Sequence, residues 1–154
     1  MIVYGTRLFG KVDEIPGAFH VATKFFHVSF LPLIPTSSWV VIDGSKKSGV
    51  MSSSWSGVQL PSLHWSSIGM AWLRVLLIYG AIGLAVVAIA AFEGGGVSAV
   101  AVPAALSAVC VGAAVYSYQL GKMTPERVEV FARMPGVPSE LVAHAKQMLP
   151  QPNA

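Results

Sequence analysis

The amino-acid sequence predicts an α+β membrane protein with a small N-terminal β module, a two-helix transmembrane hairpin and short amphipathic C-terminal helices. Three observations lead there. Apolar residues make up 54% of the 154 positions and charged residues 11%, well under the roughly one quarter usual in soluble domains. The few charges are unevenly placed, since Glu93 is the one charged residue between Val75 and Tyr118. Finally, the chain before this middle segment is rich in Val, Ile, Phe, Trp and Thr and punctuated by Gly and Pro, the pattern of short strands.

The β module is expected over residues 1–63. Candidate strands are "IVYGTRLF", "AFHVATKFFHVSFLPLI", "SWVVID" and "GVQL", with breaks at "EIPG", "PTSS" and "DGSKKSG". The second candidate is too long for a simple strand and ends in prolines, so a bulge or bend is expected near Lys24. The serine cluster 52–56 reads as a linker towards the first helix, with Trp55 and Trp65 as interface anchors.

The hairpin is expected at residues 68–92 and 97–119. "VLLIYGAIGLAVVAIAAF" is an uncharged run whose ~27 Å helical length matches the hydrocarbon thickness of a bilayer. "VSAVAVPAALSAVCVGAAVYSY" supplies the second run, and "EGGG" the turn between them. Trp65, Trp72, Arg74, Tyr79, Tyr116 and Tyr118 are placed to sit at the membrane interface, Arg74 by extending its guanidinium into the headgroups. Small residues recur every four positions, Ala81 and Ala85 on the first helix and Ala104, Ala108 and Gly112 on the second. Such faces permit close helix packing, within the hairpin or against another subunit. Pro103 removes one backbone donor from the second helix and favours a kink there.

Orientation follows from the flanks. Arg7, Lys11, Lys24, Lys46, Lys47 and Arg74 precede the spans, while Lys122, Arg127, Arg133 and Lys146 follow them. The turn has no basic residue. The positive-inside rule then puts both termini on the cytoplasmic or matrix-equivalent side.

The tail, residues 124–150, carries two short amphipathic helices. Thr124 is placed as N-cap with Pro125 at the first helical position. Leu141, Val142, Ala145, Met148 and Leu149 share one face, to be covered by the β module, by headgroups or by another protein.

The search for chemistry excludes more than it finds. A net charge of +3 with scattered basic residues does not point to nucleic acid. The single cysteine, Cys110, allows neither an intramolecular disulfide nor a cysteine-based zinc site. Asp13 and Glu14, the one adjacent carboxylate pair, read as solvated turn residues. His20, His27 and His64 are the candidates for a metal site, but residues seven apart in a straight strand face opposite ways, so His20 and His27 would share a ligand only across a bend. No Asp, Glu, Lys, Arg or His falls inside the apolar runs 75–92 and 97–118, and no cofactor or catalytic motif is present.

The segment "FFHVSFLPLIP" followed by "SSWVVIDG", within residues 17–43, is similar to the FxPLIP-type segment of small membrane-associated proteins, some joined to a zinc ribbon. The resemblance implies a small β module tethered at a membrane. The zinc-ribbon relatives use paired cysteines, which are absent here, so no metal is implied.

These readings converge on a non-catalytic accessory or assembly subunit of a larger membrane complex, with the lipid bilayer and other membrane subunits as partners. A self-assembling homo-oligomeric scaffold or pore is the alternative, and a His-dependent metal-binding membrane protein a third.

Overall fold

The computed structural model describes residues 4–29, 31–43, 47–48, 53–54, 56–94 and 97–149. Six strands and four helices follow in the order β1 (Tyr4–Ile15), β2 (Phe19–Val28), β3 (Leu31–Ile42), β4 (Lys47–Ser48), β5 (Ser53–Ser54), β6 (Gly57–Gln59), α1 (Trp65–Gly94), α2 (Val97–Leu120), α3 (Pro125–Ala132) and α4 (Ser139–Met148). Trp55 and the side chain of Glu93 lie outside the described residues. The fold is α+β, and the chain divides into two compact units. One joins residues 1–71 to 121–154, and the other is residues 72–120.

The first unit is built on an antiparallel sheet in the order β1-β2-β3-β6. The long second candidate strand divides at Ser29, a residue in the left-handed backbone region, and its remainder joins "SWVVID" as β3. The expected break at "PTSS" is therefore strand. Pro32 and Pro35 fit there because, among the described residues, β6 pairs with Trp39–Val41 and leaves the preceding half of β3 as an edge. Register shifts fall opposite these two prolines, between Lys24 and Phe25 and between Phe26 and His27. The irregularity near Lys24 belongs to this disturbed ladder.

β1 continues beyond the expected "IVYGTRLF" to Ile15, and two register shifts make that possible. At Gly10 the backbone has φ +70°, and a Cβ there would fall 1.8 Å from the Ser67 carbonyl oxygen. Only glycine permits this approach. At the second shift Asp13 takes φ +49°, which turns the local backbone and carries its side chain inward. The tight turn "IPGA" closes with Ala18 donating to the Ile15 carbonyl at 3.0 Å.

The core of this unit lies between the sheet and the tail. Val12, Ile15, Phe19, Val21 and Val40 pack with Leu60, Met123, Val128, Phe131 and Ala145. The rings of Phe19 and Phe131 stack at 5.2 Å and 15°. Thus the apolar stripes of α3 and α4 close onto the chain's own sheet. Thr124 caps α3 by accepting from Arg127 N–H at 3.4 Å, with Pro125 in the first turn. On α4, Ala145 is buried and Leu141, Val142 and Leu149 are half-buried, while Met148 is exposed. The opening turns of α1 complete the core through Ile68 and Ala71, which pack on Phe25, Phe9 and Leu63.

In the second unit, α1 and α2 are long and apolar enough to cross a membrane. Only 11% and 6% of their most apolar stretches are buried. A core helix of a soluble domain would be mostly covered, so these helices have their apolar surfaces facing outward. α2 remains helical through Pro103.

Candidate functional site

Three polar clusters deserve comparison as sites, and the most buried joins distant parts of the first unit. Asp13, 2% exposed, is brought inward by the bulge in β1. Its Oδ1 lies 3.2 Å from Arg127 Nε of α3, and its Oδ2 lies 3.5 Å from His64 Nε2, just before α1. Both are ion-pair distances rather than well-aligned hydrogen bonds. The expectation that Asp13 is a solvated turn carboxylate is overturned, because left-handed backbone at this position aims it away from its neighbour. Glu14 does stay near the surface, paired with Lys11 at 2.8 Å, while its backbone bonds Gly121 and Met123.

His64 is fixed from several directions. Its backbone N–H donates to Ser38 Oγ at 2.8 Å, and Ser38 pairs with Thr23 Oγ1 at 2.9 Å. Its Nδ1 accepts the Ser67 backbone N–H at 3.3 Å, while Ser67 Oγ donates to the Gly10 carbonyl at 2.6 Å. Burial pushes the Asp13 carboxyl above its ordinary range, opposed by Arg127 and then His64. Burial likewise pushes the His64 imidazole down, opposed by Asp13 and reinforced by Arg127. The cluster holds β1, the start of α1 and α3 together, and its hydroxyls are spent on internal bonds.

The second cluster lies at the β2–β3 pairing. His20 Nδ1 donates to Asp43 Oδ1 at 2.7 Å, and Asp43 Oδ2 accepts from Gly17 N–H at 3.3 Å. Burial lowers the His20 pKa, with the Asp43 hydrogen bond acting against it. This pairing directs the proton to Nδ1 and leaves Nε2 as the basic nitrogen.

The third cluster is inside the hairpin. Arg74, 7% exposed, donates from Nε to Ser117 Oγ at 3.1 Å and from Nη2 to the Ser117 carbonyl at 3.0 Å. Its guanidinium lies 4.0 Å above the Tyr118 ring centre. Arg74 thus binds α1 to α2 instead of reaching outward. Ser107 adds a second tie, donating to the Ala81 carbonyl at 2.9 Å.

The expected residues are distributed as follows. His20, His27 and His64 do not converge. His20 is bound to Asp43, His64 to the Asp13 cluster, and His27 is buried on the opposite sheet face from His20, edge-on to Phe9 at 5.9 Å. Among the described residues, no group of three His, Cys, Asp or Glu could hold a metal ion. On α1, Ala81 is buried and Ala85 half-buried, in line with buried Ala88. On α2, however, Ala104, Ala108 and Gly112 are exposed. Among the described residues the sheltered ones there are Val100, Pro103, Ser107, Cys110, Ala114 and Ser117. This seam alternates steps of four and three, the 3.5-residue repeat of two helices winding together, whereas a strict step of four drifts off the contact line. Trp65, Trp72, Tyr79, Tyr116 and Tyr118 are all exposed.

The Asp13–His64–Arg127 cluster is absent from the sequence reading. Its members are 51 and 63 positions apart, and nothing local marks them. The seam on α2 was visible in principle, as a 3.5-residue spacing of Ser, Cys and Ala. No family model matches the chain, and neither the curated proteins nor the solved structures contain a match.

Proposed function

We propose that the chain is a non-catalytic, two-span membrane protein that acts as an accessory or assembly subunit of a larger membrane complex. One observation carries the reading: both long helices turn almost all of their apolar surface outward, and α2 has Ala104, Ala108 and Gly112 on that surface. Lipid covers such a surface, and small residues on it let a neighbouring helix approach closely. That the chain before and after the hairpin folds into one unit supports placing both ends on the same side. The basic residues of both flanks favour the cytoplasmic or matrix-equivalent side.

A non-catalytic role is favoured by how the polar groups are used. Asp13 is ion-paired with Arg127 and His64; Thr23, Ser38 and Ser67 hydrogen-bond to one another or to backbone, and Arg74 bonds to Ser117. Self-association through the exposed α2 stripe is the competing reading, favoured by the same residues.

The test is size in mild detergent. The wild-type protein is expected to run with other subunits in a defined larger species, and Ala108→Leu, bulky on an exposed position, to reduce that species to the free chain. A wild-type monomer in several mild detergents would overturn the proposal. Ala108→Cys in a Cys110→Ser background separates the two assemblies: a disulfide homodimer favours self-association, and crosslinks to other subunits favour the accessory role.

A further inference from the structure

We propose that His64 is a proton-sensitive N-cap, an acid-released latch that holds the start of α1 and, through Asp13, the tail helix α3 on the sheet. The donor–acceptor logic requires it. The Ser67 backbone N–H is a donor, so His64 Nδ1, 3.3 Å away, accepts and carries no proton. The single proton of the neutral ring is therefore on Nε2, which faces Asp13 Oδ2 at 3.5 Å. His64 occupies the position immediately before Trp65, and its carbonyl accepts from Ile68 N–H at 3.2 Å, so its side chain serves α1 as Ser, Thr or Asn caps other helices. Unlike those residues, histidine loses its acceptor when it takes a proton.

The surroundings set what protonation does. Asp13 on β1 and Arg127 on α3 are the charged groups that face the ring. Ser67 on α1 and Ser38 on β3 add neutral polar groups. Glu14 and Lys11, the next charges along β1, pair with each other. A proton on Nδ1 removes the cap and places positive charge beside both Arg127 and the positive end of α1. The attraction of Asp13 is then shared between two cations, so its hold on Arg127 weakens as the cap fails.

The direction with pH follows. The His64 imidazole is held below its ordinary 6.5, so the folded chain favours the neutral ring. The stability that this ring confers is complete above 6.5 and is lost as pH falls from there to the lower folded-state value. Asp13 acts in the opposite sense. Its carboxyl is raised from 3.8, so its burial cost is relieved as pH falls through the window above 3.8.

The full-length protein in lipid nanodiscs provides the test. Nitrogen-15 spectra of labelled histidine should show His64 with its proton on Nε2 at neutral pH. Between pH ~7.5 and ~5.5, exchange protection of the Ser67 and Val128 amides, corrected for intrinsic rates, should fall about fivefold, the size of one lost N-cap. In His64→Asn, which caps without titrating, that fall should be absent. A neutral-pH proton on Nδ1, an equal fall in His64→Asn, or loss of protection while His64 stays neutral would each overturn the latch. Should His64→Asn fail to fold, the wild-type tautomer and its titration decide the matter alone.

Discussion

The two units of this chain treat apolar surface in opposite ways. In the first, the sheet's Phe19, Val21 and Val40 are covered by Met123, Val128, Phe131 and Ala145, and even buried charges find partners. In the second, two helices touch along one narrow seam and leave the remaining aliphatic surface bare. Both are rich in apolar residues, but nearly all the charges belong to the first unit. The difference is one of shape and solvent. A sheet has one face to hide and the tail supplies a lid for it, while among the described residues little covers two helices that are apolar on all sides.

That contrast can be broken by substitution, beginning where the largest effect is expected. Phe131→Ala deletes the ring stacked on Phe19 and should destabilise the first unit by about 3–5 kcal/mol in chemical denaturation of the purified protein. A loss under ~1 kcal/mol would mean that the lid is not what closes the sheet. Val109 is exposed on α2. If lipid is its solvent, Val109→Arg should cost ~2.5–3.5 kcal/mol in a membrane-insertion assay. In water the same exposed change would stay within ~0.5 kcal/mol, and that result would erase the distinction between the units. The smallest effect is expected at Gly112, where an added Cβ meets nothing within 4 Å. Gly112→Ala should leave hairpin stability within ~0.5 kcal/mol, measured by unfolding in micelles. A larger loss would show that the exposed stripe is packed against something in the sample.

What could be read from the chain before its structure depended on how local the signal was. The helices were legible because their spans are long and nearly uncharged, and the Thr124–Pro125 start of α3 because a cap is written in adjacent residues. β3 runs through the expected break at "PTSS", since a proline is forbidden or harmless depending on whether a neighbour strand needs an N–H at its position, and neighbours are not encoded locally. Asp13 departs from the expected solvated turn for the same kind of reason. Its burial depends on a left-handed backbone and on partners brought in from before α1 and from α3. The three histidines share only their residue type: His20 and His27 lie on β2 and His64 just before α1, each with partners of its own.

The first unit takes its two parts from before and after the hairpin, and this fixes an order of events during synthesis. The sheet leaves the ribosome early, yet Phe19 finds its ring partner only after both long helices have been translated and Phe131 has followed. Until then the strands present a sticky, half-finished surface. A nascent chain truncated after Leu120 would keep its hairpin but never acquire the cover for its sheet, making it a natural target for chaperones and proteases. Synthesis of α3 is thereby coupled to survival of the strands made before it.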